Sequence, residues 1–162
     1  MQFSADFLVF GTGLTFNIVF CTLLARWYVW PALNGRRRID ALILILWPHT
    51  SRFLNLAGAT VSQVDARVPR AWVQEVAWGD FAAAVLALCA IAVLRKNTRV
   101  GVPLAWISTI FGLLDFCNSF GQGMMLNAMD LPLGIMWQIA VGIVPVLFTA
   151  HVLAIRLLLK PA

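Results

Sequence analysis

Apolar positions along the chain fall into five long runs separated by short polar joints. They cover residues of about 5–30, 39–60, 75–94, 103–125 and 131–159, and the first of them reads FLVFGTGLTFNIVFCTLLARWYVW. A hydrocarbon core about 30 Å thick is crossed by about 20 apolar residues in a helix, so each run predicts one spanning helix. The expected fold is all-α, a polytopic membrane bundle of five transmembrane helices occupying residues 1–162 as one domain. Pro31, with Asn34 and Gly35 after it, is expected to end the first helix, and the joint SQVDARVPRAWVQE follows the second. Arg95, Lys96 and Arg99 close the third, and NAMDLP separates the last two. No joint exceeds about 20 residues, well short of a soluble domain, and no internal repeat supports an inverted-repeat transporter.

Polar residues inside these runs are few, and each costs free energy at membrane depth unless paired or turned toward the bundle interior. The second run carries WPHTSRFLN, where His49, Arg52 and Asn55 recur every three residues on one helix face. Asp115, Asn118 and Gln122 make a similar stripe on the fourth helix, Asp80 sits near the start of the third, and Gln138 and His151 lie on the fifth. Arg52 is expected to pair with Asp115 or Asp80, since an unpaired guanidinium in lipid is poorly accommodated. At about 1.5 Å of rise per residue, His49 falls near mid-membrane and His151 in the inner third. Pro48 and Pro145 should kink their helices, the second releasing the carbonyl of Val141 for some other donor. Thr50 and Ser51 lie on other faces and can bond back to their own helix.

These residues predict a polar cavity in the outer half of the bundle, opening outward above an apolar lower wall. One reading is a site for a lipid-like or amphipathic molecule: Arg52, Asn55, Asn118, Gln122 and Gln138 bind, while His49, Asp115 and Asp80 supply acid or base for isomerase-like or cyclase-like chemistry. A second is a b-type haem with His49 and His151 as axial ligands. A third is an accessory subunit whose polar residues only lock helices together. In either the first or the third, Arg52→Met and Asp115→Leu are expected to leave a folded protein.

Composition supports the membrane class: 61% of residues are hydrophobic and 12% charged, about half the charge of a soluble domain. The net charge of +5 sits at helix ends rather than in one patch, so it reads as topology and not as a nucleic-acid surface. Arg36, Arg37 and Arg38, then Arg95, Lys96 and Arg99, then Arg156 and Lys160 share one side, whereas Arg67 and Arg70 on the other are offset by Asp65, Glu75 and Asp130. That asymmetry places the N-terminus outside and the C-terminus in the cytoplasm. Trp27, Trp30, Trp72, Trp78 and Trp106 near the segment ends suit an interfacial belt. Cys21, Cys89 and Cys117 are expected to be buried small hydrophobes. MQFSADFLVFGTG lacks a basic leader and a cleavage site, so it reads as a retained first helix. No metal-ligand cluster or phosphate loop occurs, and no metal is expected. A membrane lipid or hydrophobic small molecule is the expected partner, with a homo-oligomer or larger membrane complex as context.

The segments PHTSRF, GDFAAAVLALCAIAVL, LLDFCNSFGQG and PVLFTAH, ending in RLLL, resemble a group of small bacterial five-helix integral membrane proteins of uncharacterised function. The shared pattern is PH-x-x-RF, a GD pair opening a helix, D-x-x-N in the next helix and a late histidine. The resemblance covers most of the chain after Ile39 and implies a helical membrane fold in a bacterial cytoplasmic membrane, without implying a chemistry.

Overall fold

In the computed structural model, which describes residues 4–60 and 62–160, the chain is helical throughout, with no strand among the described residues. Helix α1 is Ala5–Asn34. Helix α2 runs from Arg38 to Thr50 and continues without a break as a tighter 3-10 stretch, Ser51–Ala59. Helices α3, α4 and α5 are Arg70–Leu94, Thr98–Met125 and Ile135–Leu159. Of the five, α1, α3, α4 and α5 are long and apolar enough to cross a membrane. The expected second span falls short of that, because its α-helical part has only 13 residues before the polar 3-10 stretch begins.

Two helices widen before a proline for one physical reason. Pro31 does not end α1; a π-turn, Ala25–Val29, precedes it and the helix continues to Asn34. Pro145 follows a second π-turn, Ile139–Ile143. A proline ring collides with the carbonyl four residues back and offers it no N–H, and the wider π-turn accommodates that mismatch while the helix continues. The loop side differs as well. Helix α3 begins at Arg70 rather than near Glu75, and α4 begins at Thr98, where the Asn97 side chain accepts from the amides of Arg99 and Val100. Helix α5 starts only at Ile135, after Gly134 adopts a φ of 57° against the carbonyl of Gln63.

Helix α3 is the centre of the bundle, packed on α4 along its length and on both halves of α2. Helix α5 packs against α2, α4 and α1. The interior divides into two apolar clusters. One, built on Leu42, Leu46, Ile91, Ala105, Leu153 and Leu157, lies toward the arginine-rich end. The other, built on Phe10, Val68, Trp72, Val73, Met129 and Met136, closes the opposite end. Between them lies a buried polar layer that includes His49, Arg52, Asn55, Asp80 and His151. Trp72 therefore belongs to the core rather than to an exposed belt, its indole donating to the carbonyl of Ser119 at 3.1 Å, whereas Trp27 and Trp78 are exposed as expected. Of the cysteines only Cys21 is buried; Cys89 and Cys117 lie on the exposed surface.

Two basic residues assigned to topology also close helix ends. Arg38 donates to the carbonyls of Leu157 and Leu158 at the end of α5, and Arg70 donates to those of Ala59 and Thr60 at the end of α2.

Helix α1 is peripheral; Phe16 is 75% exposed and Tyr28 68%. One tie to the bundle is Asn17, whose amide donates to the carbonyls of Val141 at 2.7 Å and Gly142 at 2.9 Å, within the π-turn of α5, and another is Asn34, which accepts from Lys160 at 2.5 Å. The Val141 carbonyl is the one that Pro145 was expected to release. Asn17→Leu should therefore strand two carbonyls and lower stability by about 1–3 kcal/mol. Thermal unfolding in mild detergent measures this, and an unchanged midpoint would show that the two Asn17 bonds do not hold α1 in place.

Candidate functional site

The site begins with the tightening of α2. Three residues per turn in a 3-10 helix bring positions three apart into register, and Arg52, Asn55 and Gly58 are the buried residues of that stretch. Just before it, the hydroxyls of Thr50 and Ser51 donate to the carbonyls of Trp47 and Pro48 at 2.8 and 2.7 Å, the expected local bonds.

Arg52 then reaches both neighbouring helices. Its Nε donates to Asp80 Oδ1 of α3 at 2.5 Å, its Nη2 to Asp115 Oδ2 of α4 at 2.5 Å, and its Nη1 to the carbonyl of Gly112 at 3.0 Å. Asn55 donates to the other oxygen of Asp80. The expected pairing of Arg52 with one aspartate is thus a pairing with both. Two glycines make room: a Cβ on Gly79 would overlap the Asp115 carboxylate, and one on Gly112 would lie 2.8 Å from His151 Cε1 and 2.9 Å from Arg52 Nη1. One guanidinium against two carboxylates leaves the cluster with a formal excess of one negative charge.

Beside this cluster, the rings of His49 and His151 touch, with centroids 4.1 Å apart and planes tilted by 45°. All four of their ring nitrogens are buried without a hydrogen-bond partner among the described residues. The two histidines therefore sit at one level instead of a turn apart. In this arrangement the two rings lie directly against each other, with no space between them for a porphyrin.

His151, Arg52, Asn55 and Asp80 form one end of a cavity of about 290 Å³. The rest of its wall is mostly apolar, with Phe10, Leu14 and Ile18 from α1, Phe116 and Phe120 from α4, and Ile143, Leu147 and Phe148 from α5, beside Ser51 and Ser119. Several expected site residues stand elsewhere. Asp115 and His49 belong to the polar layer but do not line the cavity. Gln138 is exposed, and Asn118 and Gln122 turn toward Glu75, donating to its carboxylate at 2.8 and 2.7 Å. The expected polar, outward-opening cavity is thus a mostly apolar cavity with one charged end.

Glu75, weighed in the sequence only as a topological charge, organises an exposed polar triad, and Asn17, unremarked there, anchors α1. The freed carbonyl of Val141 was the available signal for Asn17.

The profile of one family, a domain of unknown function (DUF8737), matches residues 9–159. No curated protein and no solved structure matches the chain.

Proposed function

For a chain that belongs to the DUF8737 family, we propose an integral membrane protein that binds a small amphipathic or lipid-like molecule in the cavity beside Arg52. The proposal takes all five helices as spanning, with α2 sheltered by its neighbours, the N-terminus outside and the arginine-rich end in the cytoplasm of a bacterial cell.

The observation that carries this reading is the cavity itself, mostly apolar in its lining with the charged groups Arg52 and Asp80 at one end. Its volume lies near the lower limit of small-molecule pockets, about 300–1,000 Å³. Helices locked together for support alone do not need such a space, and packed interiors contain few voids larger than a water molecule. The charge of the polar end selects the head group. Arg52 is already engaged on three sides and the cluster has an excess carboxylate, so an anionic head is disfavoured and a neutral or cationic hydrogen-bonding head is favoured. His151 lines the same cavity, its ring nitrogens buried without a partner among the described residues.

Acid or base chemistry has less support than binding. Asp115 and His49 do not reach the cavity, and both oxygens of Asp80 are engaged, by Arg52 and Asn55.

Solvent extraction of protein purified in mild detergent tests the reading. One small neutral or cationic amphiphile per chain is expected from the unaltered protein, and none from Ala140→Phe, which fills the cavity from α5. A chain that yields no such molecule, or an Ala140→Phe variant that retains it, overturns the proposal.

A further inference from the structure

The arginine-rich end holds a second concavity, of about 890 Å³, between α2 and the turn that joins α3 to α4. Five arginines and one aspartate line it, a formal charge of +4. Their partners divide them. Arg38 is committed to the carbonyls that end α5, and Arg37 to Asp40, with Nε and Oδ2 2.8 Å apart. Arg36, Arg95 and Arg99 are exposed, and their guanidiniums make no hydrogen bond or ion pair among the described residues.

Three unpartnered guanidiniums facing one concavity repel one another, and a chain gains by placing an anion among them. The guanidinium fork matches the oxygens of a phosphate diester in pairs. The wall next to the arginines tells which phosphate. Leu44 and Trp47 on α2 are 47% and 46% exposed, and with Val102 of α4 they continue the concavity along the flank of the bundle as an apolar strip. A free phosphate has no use for that strip, whereas an acyl chain does.

We infer that this concavity binds one anionic glycerophospholipid from the surrounding bilayer, its phosphate among Arg36, Arg95 and Arg99 and one acyl chain along Leu44, Trp47 and Val102. The inference rests on the membrane-spanning part of the reading above and is independent of what occupies the cavity beside Arg52. The lipid would fasten α2 to α4 at the arginine-rich end of the bundle. Juxtamembrane basic groups attract anionic lipid in this way in general; here three of them converge on one headgroup.

The test is native mass spectrometry of the full chain released from vesicles of equal parts phosphatidylglycerol and phosphatidylcholine. The unaltered protein should retain a single phosphatidylglycerol in preference to phosphatidylcholine by about tenfold or more. The triple variant Arg36→Gln, Arg95→Gln, Arg99→Gln should fall to near parity while unfolding at the same temperature in pure phosphatidylcholine. Equal retention of both lipids by the unaltered protein, or a preference that survives the triple variant, overturns the inference. So does inorganic phosphate that displaces phosphatidylglycerol at millimolar concentration, since the acyl strip would then contribute nothing. A chain that stays in the aqueous phase and never enters the vesicles instead overturns the membrane reading, and is told apart from the other outcomes by flotation.

Discussion

Arg52→Met should cost about 3–5 kcal/mol, enough to leave little folded protein. The side chain is 4% exposed and donates to Asp80, Asp115 and the carbonyl of Gly112, on two different helices. Removing it leaves two carboxylates facing each other across the seam of α3 and α4 with no cation between them. The penalty comes from those stranded charges rather than from the net strength of the ion pairs. This replaces the expectation, formed when Arg52 had a single partner, that the substitution would be tolerated. Adding Asp80→Asn and Asp115→Asn to Arg52→Met should recover a substantial part of the loss, because the stranded groups then become neutral amides. Reversible unfolding in mixed micelles measures both variants. An Arg52→Met protein as stable as the original would mean that the carboxylates are solvated without it and that the polar layer is not closed.

The second large effect is expected at a residue with no side chain. In Gly112→Val the new Cβ alone would lie 2.8 Å from the His151 ring and 2.9 Å from the Arg52 guanidinium. Neither group can yield cheaply, since the ring rests on His49 and the guanidinium is tied at three points. Overpacking a filled interior costs about 1–3 kcal/mol, and any shift of Arg52 adds to it by loosening two ion pairs. Gly121→Val, on the same helix with nothing within 4 Å of its Cβ position, is the matched control and should lose only what a β-branched residue costs in a helix. Equal midpoints for the two variants would contradict the close approach of α2, α4 and α5 at this level.

Much of the fold was legible because hydrophobic runs of spanning length are a strong signal. The helices were found where the runs lie, and the Arg52, Asp80, Asp115 constellation could be anticipated because buried charge must be neutralised. What escaped was phase. Reading faces from residue spacing assumes a uniform 3.6 residues per turn, and this chain departs from it three times, in the two π-turns and the 3-10 stretch. The π-turn at Ile139–Ile143 lies between Gln138 and His151, so the face of one says little about the face of the other. The stripe of Asp115, Asn118 and Gln122 failed differently. It straddles the seam between α3 and α4, and its inner member meets Arg52 while its outer members meet Glu75. Spacing identified the stripe, but which side of a seam each residue takes depends on the neighbouring helix.

The fork at Arg52 also orders events during synthesis. Its partners stand 28 and 63 residues further along the chain. At about 5–20 residues per second, the ribosome adds Arg52 roughly 3–13 s before Asp115 exists. On the proposed membrane reading, the nascent α2, short and carrying a guanidinium that is uncompensated until Asp80 follows and half-engaged until Asp115 does, would have no stable place in lipid through that interval. It would be held at the insertion machinery or at the bilayer surface until α3 and then α4 arrive to receive it. Insertion would thus be a delayed, cooperative step in which the second helix enters only with the third and fourth.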